Sequence, residues 1–137
     1  MTPQELRDRT HQFAVDVALH IERLFHEPDT RNPAQQLADS STSAAANYRA
    51  ACCAKSHPDF TSKMGTTLEE ADESLHWLMF FRDTGRLKGA ETERLIQEGT
   101  ALTKIFGASV RTAKRRAKLE AEKAKKRKDG IPRDPLK

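Results

Sequence analysis

Gln36-Leu37-Ala38-Asp39-Ser40-Ser41-Thr42-Ser43-Ala44-Ala45-Ala46-Asn47-Tyr48-Arg49 is the stretch on which the fold turns. Leu37, Ser41, Ala44 and Tyr48, continued by Ala51 and Cys52, recur at helical spacing and form one core stripe. Just upstream, Asn32-Pro33 is a start signal, with Asn32 as cap and Pro33 at the first helical position. The spacing predicts a helix from Pro33 to about Ala54. Ser40, Ser41, Ser43, Ala44, Ala45, Ala46, Ala50 and Ala51 make it rich in small side chains. Small residues let a neighbouring helix approach closely. Asn47 falls at the edge of the stripe and is expected to be a buried or half-buried amide with a structural partner.

The flanks read the same way. Helix one is predicted over residues 3–26, with Pro3 in the first turn and Leu6, Phe13, Val17, Ile21 and Leu24 as its stripe. Glu27-Pro28-Asp29-Thr30-Arg31 is the first break. Ser56-His57-Pro58-Asp59 starts helix three, which runs from Pro58 to about Asp83 on Phe60, Met64, Leu68, Ala71, Leu75 and Leu78. Thr84-Gly85 supplies its C-cap, with the glycine left-handed. Helix four begins near Ala90 after Gly89 and carries Leu95, Leu102, Ile105, Phe106 and Val110. Beyond Val110 the apolar stripe stops, with Leu119 alone before Lys128, yet helical composition continues to about Lys128. The fold class is therefore all-α, an up-down-up-down antiparallel four-helix bundle. Residues 1–110 form the bundle, 111–128 a projecting basic extension of helix four, and 129–137, with Gly130 and Pro132, a disordered tail.

Composition agrees. The chain has 137 residues, 36% hydrophobic and 32% charged, with a mean hydropathy of −0.76. The longest apolar run, Trp77-Leu78-Met79-Phe80-Phe81, is far short of the roughly 20 residues a spanning helix needs. No membrane partner is expected, and no basic-then-apolar leader is visible, so a cytoplasmic location is expected. The net charge of +4 hides an asymmetry. Residues 1–110 hold 12 Lys/Arg against 16 Asp/Glu, and residues 111–137 hold 12 against 4. A mildly acidic body thus ends in a strongly basic segment, which suggests an anionic partner. The two cysteines, Cys52 and Cys53, are adjacent, about 100° apart on a helix, and match no metal-site spacing. Cys52 is expected in the core and Cys53 on an outer face.

The stretch Gln36–Arg49 quoted above, together with Lys55-Ser56, Asp59-Phe60 and Leu68-Glu69-Glu70-Ala71-Asp72-Glu73-Ser74-Leu75-x-Trp77-Leu78, resembles the four-helix-bundle proteins encoded in intervening sequences of 23S ribosomal RNA genes. The resemblance covers about residues 6–110. It implies a homopentamer without established enzymatic activity. A similar fold belongs to the accessory protein of diversity-generating retroelements, a basic pentamer that works with a reverse transcriptase and RNA. The family's usual Arg in helix two is Asp39 here, and an acidic residue often found after the Tyr-Arg pair is Ala50. A nucleic-acid role is thereby moved off the bundle surface and onto the C-terminal end.

That end carries Arg111, Lys114, Arg115, Arg116, Lys118, Lys123, Lys125, Lys126, Arg127 and Lys128 as the candidate nucleic-acid-binding residues. Each can displace a counterion from phosphate, which makes binding salt-sensitive. Aromatic residues are absent from the segment, which favours backbone contact with RNA or DNA over base stacking. The competing reading is a solvated helix end that keeps a protein-interaction scaffold soluble and leaves its protein partner unidentified. Trp77, Phe80 and Phe81 lie outside the helix-three stripe and are the candidate oligomer interface. No metal site is expected. A di-iron bundle needs two Glu-x-x-His motifs, and Glu73-Ser74-Leu75-His76 is the sole match. Glu69, Glu73 and His76 are read as solvated or interfacial. His11, His20, His26 and His57 have no ligand spacing, and Ser40, Ser41 and Ser43 lack a nucleophile context. No enzyme activity and no cofactor are expected.

Overall fold

In the computed structural model, which describes residues 1–130, four α-helices and no strand occur among the described residues. They are α1 (Pro3–His20), α2 (Arg31–Cys52), α3 (His57–Asp83) and α4 (Ala90–Gly130). The stretch predicted as disordered lies outside the described residues except for Asp129 and Gly130, which end α4.

Each start has a local cause. Thr2 and Glu5 form a reciprocal capping box ahead of α1, and Ser56 accepts from the Asp59 N–H ahead of α3. α2 departs from the predicted Asn32 cap: its N-cap is Thr30. The Thr30 hydroxyl is turned back to donate to the Leu24 carbonyl at 2.8 Å, and Arg31 Nε donates to the Phe25 carbonyl at 3.0 Å. Those bonds satisfy carbonyls left open because helix one is shorter than its stripe suggests. It ends at His20, and Glu22–His26 form a 3₁₀ helix instead. The tighter winding turns the chain toward α2 while Ile21 and Leu24 both stay fully buried. At the far end of α3, Gly85 has φ +75°. Arg86 N–H bonds the Phe81 carbonyl and Gly85 N–H bonds that of Arg82, which is a Schellman closure.

The core follows from spacings of three and four. α2 buries Ala34, Leu37, Ser41, Ala44, Tyr48 and Ala51, and α3 buries Met64, Thr67, Ala71, Ser74, Leu78 and Phe81. Such seams suit helices packed at shallow angles. The α3 seam differs from the predicted stripe: Thr67, Ser74 and Phe81 replace Phe60, Leu68 and Leu75, which pack against the core from its flank. The buried hydroxyls are satisfied. Thr67 donates to the Lys63 carbonyl at 2.8 Å, and Ser74 donates to that of Glu70 at 2.9 Å. The hydroxyl oxygens of Ser40 and Ser74 also meet at 2.9 Å, and it is the small residues of α2 that admit this contact.

Across the bundle, Arg9 grips Glu98 with two bonds of 2.6 and 2.8 Å. Arg94 reaches Asp16 at 2.8 Å, and His20 meets Thr92 at 2.8 Å. Asn47 is half-buried as expected and donates to the Ser43 carbonyl at 2.9 Å. Cys52 is a correction. Ala51 takes the core position, one residue on points outward, and both Cys52 and Cys53 are exposed.

Candidate nucleic-acid interface

α4 is more than a bundle helix. Its buried face runs through Leu102, Phe106 and Val110 and ends at Ala113. From Lys114 to Gly130 every residue is exposed. Seventeen residues at about 1.5 Å each carry the helix about 25 Å past its last buried side chain. Arg111 and the nine other candidate cations are all exposed.

Their electrostatic state separates them from the bundle. Arg9, Lys63, Arg82, Arg86 and Arg94 are each held in an ion pair. Among the described residues, none of the ten extension cations is paired within 4 Å. Five of the twelve Lys/Arg of residues 1–110 are thus answered internally, whereas those of the extension face solvent.

The root of the extension is built from α3 and α4. His57, the first residue of α3, places Nε2 at 3.0 Å from the Ala113 carbonyl and donates to it. Phe60 stacks on the His57 ring, with centroids 6.5 Å apart and planes inclined by 27°. A cleft of about 480 Å³ opens there between His57 and Phe60 on one side and Ser109, Thr112, Ala113 and Arg116 on the other. Sequence reading found the cations but not this cleft, because its two halves lie more than 40 residues apart and no single segment contains both. At the same end of the bundle, Tyr48 packs on Phe106 with centroids 5.5 Å apart. Burial and contact with Cys52 push the Tyr48 phenol up to about 12.

The aromatic candidates divide. Phe81 is fully buried in the protomer's own core, because the α3 seam passes through it, and it is not available on the surface. Phe80 is 42% exposed beside the exposed Met79, and Trp77 is half-buried. Trp77 meets His76 and Phe80 edge-on, at 4.8 and 5.5 Å between centroids. The Trp77 indole N–H is buried without an acceptor among the described residues. Glu69, Glu73 and His76 are exposed. Glu70 sits between them in chain order, and burial together with Glu73, Glu69 and Asp39 raises its carboxyl above the usual range. Among the described residues, no three His, Cys, Asp or Glu side chains come together as a metal site, and no helix is long and apolar enough to cross a membrane.

Residues 4–108 match the family of the 23S rRNA-intervening sequence protein. The chain is also similar to a crystal structure from Bacteroides thetaiotaomicron, a protein of unknown function from the S23 ribosomal protein family. The two are 28% identical with a TM-score of 0.71, over 77% of this chain and 97% of the other. No curated protein matches this chain. The family match stops three residues before Arg111, so every extension cation lies beyond it.

Proposed function

The chain belongs to the family of the 23S rRNA-intervening sequence protein, and from that premise we propose that it is a non-enzymatic, homo-oligomeric four-helix-bundle protein that contacts RNA or DNA through its basic extension. The bundle is up-down-up-down and antiparallel; the pairings of Arg9 with Glu98, Asp16 with Arg94 and His20 with Thr92 support that course. The assembly is a homopentamer located in the cytoplasm. Trp77 and Phe80 contribute to its interface.

The observation that carries the reading is the row of ten exposed cations on one continuous helix, none of them paired among the described residues. Cations that already sit in ion pairs must break them to bind phosphate; these need not. Contact is with the backbone and is released by salt. Several extensions on one oligomer multiply weak contacts where geometry lets them engage together.

The test compares the full chain with one ending at Ala117, titrated into labelled structured RNA and duplex DNA at rising salt. The full chain binds at low salt and releases steeply, and the shortened chain binds far more weakly. Equal binding by both removes the part of the extension beyond Ala117 from the function. A protein partner retained in a pull-down after nuclease treatment, with no nucleic-acid binding, would make the protein an interaction scaffold instead.

A further inference from the structure

We propose that the cleft at the root of the extension holds one unstacked nucleotide of a nucleic-acid strand, its base against Phe60 and its phosphate on Arg116, Thr112 and Ser109. The inference rests on the reading of the extension as a nucleic-acid contact and adds a second, chemically distinct element to it.

Three features of the cleft fit that ligand. The first is size: about 480 Å³ lies within the range of sites that take small organic ligands. The second is the lining. One wall is the flat Phe60 ring stacked on His57, and every base offers a π-face to such a ring. The opposite wall, on α4, carries the Ser109 and Thr112 hydroxyls and the Arg116 guanidinium, which are phosphate donors. Among the described residues, no carboxylate lines the cleft. The nearby Asp59 is occupied, accepting from Lys63 Nζ at 2.5 Å and from the Lys55 N–H at 3.1 Å.

The third feature is position. Arg116 belongs both to the cleft and to the row of cations that continues along α4. Lys123 and Arg127 share the side of α4 on which Arg116 lines the cleft, so a single strand they follow arrives at the cleft, where an unpaired base can leave the stack. A base still paired in a blunt duplex cannot reach Phe60. The extension reads phosphate without regard to pairing, and the cleft selects strands with an unpaired end or bulge. The missing aromatic residue of the basic segment is thus supplied in space, by the first turn of α3.

Anisotropy measurements on the full chain with a blunt duplex, the same duplex carrying a short unpaired overhang, and a free mononucleotide test this. The overhang is bound about tenfold more tightly than the blunt duplex. Phe60→Leu, which keeps apolar volume but removes the ring, abolishes the preference and leaves blunt-duplex affinity and its salt dependence in place. Thr112→Met, at an exposed position, narrows the cleft without changing charge and does the same. Equal affinity for the two duplexes, or a preference that survives both substitutions, overturns the cleft inference while the extension's role stands. A free mononucleotide bound as tightly as the overhang also overturns it, since the ligand is then a small molecule. Absence of binding to either duplex at low salt overturns both readings together.

Discussion

The ten cations of the extension are not spread evenly around α4, and that unevenness can be measured. A helix turns about 100° per residue, so from the buried Ala113 the side chains of Lys118 and Lys125 fall at about 140° and 120°. Lys114, Arg111, Arg115, Lys126 and Lys128 join them in a dense face spanning about 160°. Lys123 and Arg127 sit on the opposite side, near about 280° and 320°, with Arg116 between them. A blunt duplex, whose bases cannot enter the cleft on the other side, meets one side of the helix, so the dense face is the one expected to bind it. The perturbation is a matched pair of double variants, Lys118→Gln with Lys125→Gln and Lys123→Gln with Arg127→Gln. Both remove two charges. Each phosphate contact contributes about 0.9 to the slope of log affinity against log salt. The first variant therefore flattens that slope by about 1.8, and the second by less than about 0.5. Between 50 and 200 mM salt the difference amounts to roughly six- to twelvefold in the loss of affinity. Anisotropy with a blunt duplex reads it directly. Equal flattening by the two variants would refute a binding face and leave only a diffuse positive field.

Three further outcomes are expected. Trp77→Ala combined with Phe80→Ala lowers the mass seen by light scattering, while Phe81→Ala costs about 3–5 kcal/mol of stability by emptying the core; an unchanged mass for the first pair removes those rings from the interface. Burial, reinforced by Arg23 and Arg94 against the opposing pull of Glu91, holds the His20 imidazole below its ordinary value. The folded state therefore resists protonation: His20's share of stability is intact above about pH 6.5 and is lost as pH falls below that value. The urea midpoint should drop between pH 7.5 and 5.5, less so in His20→Gln, and equal drops in both chains would refute the assignment. Gly107→Ala stabilises by about 1 kcal/mol, because it removes a glycine from a helix interior. Its new methyl carbon would lie 3.4 Å from the movable end of Arg111 and 4.0 Å from Leu68; a lowered urea midpoint would contradict that.

The helices were legible in the sequence because caps and breaks are local. Pro3, Ser56 and Thr84-Gly85 act within a turn of themselves, and the structure uses each as read. What sequence misplaced depends on distant partners. Spacing alone places Leu68 and Leu75 on the α3 stripe, but α2 brings Ala and Ser to the contact, so Thr67 and Ser74 fit there and the leucines pack at the flank. That rotation also draws Phe81 inward. Helix one was read as continuous through residue 26 because a 3₁₀ turn keeps Ile21 and Leu24 on the spacing an α-helix would give them. The cations of the extension needed no partner to be seen. The cleft at their root did, since Phe60 and Arg116 meet only through folding.

The exposure of the whole segment from Lys114 to Gly130 has a thermodynamic consequence. A helix that buries nothing must hold itself together through the intrinsic preferences of its residues. Alanine, lysine, arginine and glutamate favour that state, and joining an already formed α4 spares the segment its nucleation cost. Against this stand the like-charged neighbours one turn apart, Arg111 with Arg115, Lys114 with Lys118 and Lys123 with Arg127. A polyanion laid along the helix cancels that repulsion at the moment of contact. On the proposed reading, ordering of the distal turns and capture of the ligand are then a single linked equilibrium, in which helix content is expected to rise with occupancy.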